Sequence, residues 1–239
     1  MTYLVILLIL GFTILIHEMG HLVVAKWAHI PVQRFSIGFG RKLWSMNKGE
    51  TEYRLSIIPL GGYVLPQIES EEDYWRFPLS RIILFSFGGV IANVLAAFTC
   101  LAVFNIWIDG FSFSSLITAP TVQLGNTTLQ IIHFIPQIFK KPDEMSGIVG
   151  IVAFGGEYVG LNMMRILEFS FFLNLNLAIL NLLPLSPLDG GKILLALLQK
   201  IYKPLRRLHI PMAIVGWLFI FGLIIYVTIN DIKKWVLGI

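Results

Sequence analysis

Polarity along the chain changes in long blocks. Residues 82–108 carry no charge, residues 169–188 carry none, and residues 208–230 are apolar apart from His209 and a few small polar groups. A block at the start, residues 3–25, is apolar except where His17, Glu18 and His21 interrupt it. A helix needs about 20 mostly apolar residues to cross the hydrocarbon layer. The pattern predicts a membrane all-α core with about four transmembrane helices, at 3–25, 82–108, 166–188 and 208–230.

Between the first two spans the period shortens to two. Phe35, Ile37 and Phe39 alternate with Ser36 and Gly38, and Tyr53, Leu55 and Ile57 alternate with Arg54 and Ser56. Asn47-Lys48-Gly49-Glu50 provides a turn, and Pro59-Leu60-Gly61-Gly62 ends the alternation. This reads as a membrane-associated β-hairpin over about residues 34–66, with one apolar face. Beside a bilayer such a face is expected to be buried in protein or to line a cavity. Residues 110–139 are uncharged yet rich in Ser, Thr, Gln and Asn. They are expected to form an external segment lying on the membrane surface.

Composition agrees with the blocks. Hydrophobic residues make up 56% of 239 and charged residues 13%, against about 45–50% and 25% in an ordinary soluble domain. A mean hydropathy of +0.78 is too high for a soluble core of this length and excludes disorder, a collagen-like chain and a nucleic-acid module. The expectation is a single integral membrane domain over residues 1–239. The one cysteine, Cys100, can form no internal bridge. No basic stretch precedes the first block and no clean cleavage site follows it, so residues 1–24 are expected to be a retained span.

Of 18 basic residues, Lys26, Arg34, Arg41, Lys42, Lys48, Arg54, Arg76 and Arg81 lie between spans one and two. Lys192, Lys200, Lys203, Arg206 and Arg207 lie between spans three and four. By the positive-inside rule these two connections are cytoplasmic and both termini are outside.

Within span one stands His17-Glu18-Met19-Gly20-His21. Residues four apart share a helix face, so the two imidazoles can meet one metal ion. Glu18 projects about 100° round from His17, where it can take a proton from a water at the metal. Ionisable groups at this depth are costly and mark function by default. A catalytic zinc takes three protein ligands and keeps a position open. His29 lies past Lys26, outside the span, and the long metalloprotease pattern fails because Val24 and Trp27 occupy its Gly and His positions. Glu50 and Glu52 fall at the hairpin turn, Glu157, Glu168 and His133 on the outer side, and His209 begins span four. Asp189 ends span three at the cytoplasmic side, between Pro184 and Pro187 before it and Gly190 and Gly191 after it. His17 lies about 21 Å from the outer end of span one, a similar depth. The lesser alternative is an interfacial aspartate that caps the following helix at Gly190.

The pairing of His17–His21 with Leu188-Asp189-Gly190 resembles the site-2 protease family of intramembrane zinc metalloproteases. Phe35-Ser36-Ile37-Gly38-Phe39-Gly40 and Pro59-Leu60-Gly61-Gly62-Tyr63-Val64 resemble the hairpin of its bacterial members. Gly88-Gly89-Val90-Ile91-Ala92-Asn93 resembles their second-span motif, and Ser146-Gly147-Ile148-Val149-Gly150-Ile151 the segment before the third span. The likeness is greatest to the bacterial regulator-of-sigma-E protease type. It implies that His17, His21 and Asp189 hold Zn2+, that Glu18 is the general base, and that Asn181 bonds the substrate backbone. It further implies single-span membrane proteins as substrates, such as anti-sigma factors or signal-peptide remnants, with membrane lipid as the surroundings and the bacterial cytoplasmic membrane as the location. Three departures stand out. The segment from Asp109 to Glu144 is too short for the PDZ domain such enzymes usually carry between spans two and three. Ile148 replaces a family proline, and so does Ser186. The alternative is a catalytically silent or metal-binding membrane protein that regulates membrane partners.

Overall fold

The computed structural model describes residues 1–68, 73, 77–140, 145–186, 188–202 and 209–237. Arg76, Lys141, Pro187, Lys203, Arg206, Arg207 and Leu208, and the His209 side chain, lie outside the described residues. Helix α1 spans Thr2–Trp27, strands β1 and β2 span Val32–Lys48 and Thr51–Pro66, and α2 spans Leu79–Asp109. A π-helical turn at Ser114–Thr118 leads into α3, Ala119–Lys140, followed by α4, Ile148–Val159, and α5, Met163–Asn181. Helices α6, Asp189–Ile201, and α7, His209–Ile232, complete the order, with a π-helical turn at Lys233–Leu237.

Helices α1, α2 and α5, together with Ile210–Trp235, are long and apolar enough to cross a bilayer. Their burial is the inverse of a soluble protein's. Leu4, Leu8, Phe12, Leu95, Val215, Leu218 and Ile225 are exposed, while Thr13, His17, His21, Ser86, Asn93, Asn105 and Asn174 are buried. In lipid the apolar side chains need no shelter and the polar ones do. This is an integral membrane protein. One expected boundary moves: span three stops at Asn181, not at residue 188. The sequence stays hydrophobic to Leu188, but residues 182–186 are not helical, because Pro184 lacks the N–H that a continuing helix would need.

The chain packs as two compact units, one of Leu10–Val94 with Leu180–Ala213 and one of Met1–Ile9, Leu95–Ile179 and Ile214–Ile239. In the first, α1 ends in a Schellman motif. Ile30 N–H donates to Ala25 O and His29 N–H to Lys26 O, with His29 at φ 54°. His29 is therefore a helix stop, exposed to solvent. The hairpin forms as expected, with Lys48 opposite Thr51 and Lys42 opposite Ser56. It is also folded on itself. Arg34–Ile37 pair in ascending order with Glu52–Leu55 and in descending order with Leu65–Gly62. That stretch of β1 thus has a strand on each side, and Gly62–Pro66 forms an outer edge. Gly38 and Gly40, at φ 85° and 84°, supply the bend, which a side chain at either would strain. A core of Leu22, Ala25, Ile30, Val32, Phe35 and Phe85, with Ile37, Tyr53 and Val64 against it, buries the near half of the apolar face. Beyond the bend the face is not covered: Phe39, Leu55 and Ile57 are exposed.

In the second unit, Leu124, Ile131 and Ile135 of α3 pack against Ala97 and Leu101 of α2 and Phe171, Leu175 and Ile179 of α5. Gln123 and Asn105 exchange amide hydrogen bonds of 2.9 and 3.3 Å. Where the sequence suggested a segment resting on the membrane surface, the structure has a helix whose apolar stripe is packed onto spans two and three. Its Thr and Asn content is what a half-buried helix carries on its other face. At the start of α4, the N–H groups of Gly147 and Gly150 donate to Asp231 Oδ2 of α7, at 2.9 and 2.8 Å. A buried carboxylate from a distant helix thus caps this N-terminus.

Candidate metal centre

Three elements of the first unit converge on one point. Helix α1 contributes His17 and His21 from successive turns of one face. The chain after α5 folds over the start of α6, so that Asp189 opens that helix with Leu188 at its N-cap position. Gly190 and Gly191 make this possible. A Cβ at the first would collide with Leu182 O, and one at the second with Leu185 O. Asp189 is not the N-cap: it stands in the first turn, where a negative charge is favoured, and its carboxylate reaches the histidines.

His17 Nε2 lies 3.2 Å from His21 Nε2 and 3.2 Å from Asp189 Oδ2, and His21 Nε2 lies 3.1 Å from the same oxygen. All three side chains are buried. Ligands of a tetrahedral zinc, at about 2.0–2.1 Å from the ion, are about 3.3 Å apart. The triangle therefore fits one face of such a site, with its fourth position left over. The surroundings match that use. His21 Nδ1 is 2.7 Å from Phe85 O, which must accept the Nδ1 proton and so leaves Nε2 bare. Lys192 Nζ donates to Asp189 Oδ1 at 3.0 Å, which commits that oxygen and turns Oδ2 to the histidines.

Helix α2 supplies the remaining wall. A Cβ at Gly20 would collide with Gly88 O, and one at Gly88 would come 2.7 Å from Gly20 O. The two helices touch backbone to backbone. One residue on, a Cβ at Gly89 would lie 2.5 Å from His21 Nε2 and 2.6 Å from His17 Nε2. Gly89 is thus the floor under the ligand atoms. Glu18 is half-buried and lies beside the hairpin: a Cβ at Gly62 would be 2.7 Å from Glu18 Cγ.

Among the described residues His17, His21 and Asp189 are the one group whose ligand atoms meet in this way. The other candidates are otherwise engaged. Glu52 accepts from Arg34 Nε at 2.6 Å, and that hydrogen bond holds its carboxyl below the usual carboxylate range. Glu50, His133 and Glu157 are exposed, and Glu168 accepts a hydrogen bond from the Tyr158 hydroxyl. Asn181 is the half-buried last residue of α5, eight residues before Asp189. Sequence reasoning gave no role to Gly89, Asn93 or Lys192. Lys192 had a readable signal, its i+3 spacing from Asp189.

The sequence model of peptidase family M50 matches residues 5–225. A proposed zinc metalloprotease of Fusobacterium nucleatum is 26% identical, with 98% of this chain and 99% of the relative covered. That alignment runs over 340 residues against 239 here, so the relative carries about a hundred residues without a counterpart, the size of a small inserted domain. A proposed zinc metalloprotease of Clostridium perfringens is also 26% identical, over 92% of this chain and 95% of its own length. One of Helicobacter pylori is 36% identical over 45% of this chain and 34% of its own. A match over nearly the whole length, on a chain that closes His17, His21 and Asp189 into one buried triangle, places this protein in peptidase family M50, the site-2 protease family.

Proposed function

We propose that this protein is an intramembrane zinc metalloprotease that hydrolyses peptide bonds within or near the transmembrane segments of single-span membrane proteins. The observation that carries the reading is the ligand triangle, with edges of 3.1–3.2 Å, buried in spans and flanked by a carboxylate that is not part of it. Zinc held by His17, His21 and Asp189 supplies a Lewis acid for the scissile carbonyl and for the attacking water. Glu18 takes the proton of that water and delivers it to the leaving amine. Its place beside Gly62 puts the general base at the outer edge of the hairpin.

A helical substrate hides its carbonyls in its own hydrogen bonds, so it must unwind before attack. The Gly62–Pro66 edge has backbone groups to offer an extended segment, and strand addition there would hold it open next to Glu18. Asn181 would bond the backbone of that segment. The charge distribution supports cytoplasmic first and third connections, a site near the cytoplasmic side and residence in a bacterial cytoplasmic membrane.

The test is incubation of the detergent-purified protein with a single-span substrate. Cleavage is expected in the untreated protein and is expected to stop when a chelator removes zinc, returning when zinc is restored. In the same assay Asn181→Leu lowers turnover while zinc content stays at the wild-type level. A zinc-loaded protein that cleaves no membrane substrate would instead favour a metal-binding, non-proteolytic role.

A further inference from the structure

We propose that Asn93 is the positioning residue of the metal centre, its side-chain oxygen accepting the Nδ1 proton of His17 so that a bare Nε2 faces the ion. The inference rests on the metal-centre reading above and goes one shell beyond it. A histidine ligates through a nitrogen that carries no proton, and the group hydrogen-bonded to the other nitrogen decides which one that is. For His21 the decision is made by the backbone: Phe85 O can only accept, so the proton sits on Nδ1. Among the described residues His17 Nδ1 has no such carbonyl partner. Its Nδ1 faces the carboxamide of Asn93, with Nδ2 at 3.4 Å.

Asn93 is fully buried in α2, one helical turn after Gly89 and hence on the same face. Its Oδ1 is buried and has no hydrogen-bond partner among the described residues. A buried acceptor left without a partner keeps its full desolvation cost, and an isolated amide in a span has little reason to bear it. A half-turn of the carboxamide exchanges its two ends. Oδ1 then accepts from His17 Nδ1–H, and the orphaned acceptor is satisfied. The same rotation resolves the tautomer. With Nδ2 donating to Nδ1, the proton of a neutral His17 is confined to Nε2, inside the triangle. With Oδ1 accepting, it is confined to Nδ1, outside it. Only the second arrangement gives three lone pairs converging on one point. The two histidines are thereby set by unlike devices, one in the main chain and one in a side chain, and only the second can be altered by substitution.

Two measurements test this. In wild-type protein with 15N-labelled histidine, loaded with zinc, His17 Nδ1 is expected to resonate as a protonated nitrogen and Nε2 as a metal-bound one. A bare Nδ1 at His17 would overturn the proposal, and this arm needs no variant to fold. Zinc affinity is then measured by chelator competition, with circular dichroism confirming the helical content of each variant. Asn93→Leu, which removes the acceptor, is expected to bind zinc roughly 10- to 100-fold more weakly. Asn93→Asp, which can only accept, is expected to restore affinity to within a few-fold of wild type. Wild-type affinity in Asn93→Leu, or equal losses in both variants, would reject the positioning role while leaving the metal centre intact. Failure of the wild type to bind zinc would reject both.

Discussion

Glu18→Gln is expected to abolish detectable cleavage of a membrane substrate while the protein keeps its full complement of zinc. The two halves of that outcome come from different parts of the geometry. General acid–base groups contribute about 10²- to 10⁴-fold to rate, and glutamine is nearly isosteric but cannot take a proton. Zinc is retained because the ligand triangle is complete without residue 18: its three edges join His17, His21 and Asp189. Glu18 lies beside Gly62 of the hairpin instead. Rates are measured under single-turnover conditions and zinc by elemental analysis of the same preparation. Loss of zinc in Glu18→Gln would make residue 18 part of the binding set and remove it as the base. Full activity would remove the proteolytic mechanism built on it.

Gly89→Ala is expected to cost nearly all of the zinc and the activity with it, although it adds one methyl group to an apolar span. The new Cβ would meet His21 Nε2 at 2.5 Å and His17 Nε2 at 2.6 Å, the two atoms that must hold the ion. Neither ring can swing away, because His21 is tied to Phe85 O and both face Asp189. Nor can the helices separate cheaply. Gly20 and Gly88 already bring the backbones into contact one residue away, and that close approach is the packing on which such helix pairs depend. Overpacking of this kind costs about 1–3 kcal/mol, and here it falls on the ligand atoms. The control is Gly11→Ala in α1, where a Cβ would meet nothing within 4 Å. Zinc content should fall in the first variant and hold in the second. Equal zinc in both would mean that α2 does not form the floor of the site.

How much of this was readable in advance depended on which physical rule each feature obeys. His17, Glu18 and His21 declare themselves because helical periodicity turns a spacing of four into a shared face. Asp189 was visible through its flanking prolines and glycines, which interrupt a span where interruption needs a reason. The hairpin followed from period-two alternation, but its bend did not. Gly38 and Gly40 look like ordinary members of the alternation, and only their positive φ shows that β1 folds back to take a strand on each side. The end of span three was misplaced because hydropathy reports the solvent around a residue rather than its backbone, and Leu182–Leu188 stays apolar after the helix has stopped. Gly89 and Asn93 stand in a second-span motif, but the motif does not say what either residue touches. A glycine or an asparagine in an apolar span acquires its meaning from the neighbouring helix, and the crossing of α1 and α2 is a tertiary event. The stretch at 110–139 was misread because a half-buried helix and a surface segment share a mixed composition.

The connectivity of the two units bears on how the protein is made. Asp189 is separated from His17 by 172 positions, and Asp231 from Gly147 by 84. At roughly 5–20 residues per second of synthesis, about 9–34 s pass between emergence of the first ligand and emergence of the third. Throughout that interval a nascent chain exposes two imidazoles and a carboxylate in its first span with no third ligand to close the set. Neither unit is continuous in sequence: one draws on residues up to Ala213 and the other on residues up to Ile239. The order of synthesis therefore sets when the ligand set can close. A protease of the kind proposed would have no complete metal site until the chain through Asp189 has been made.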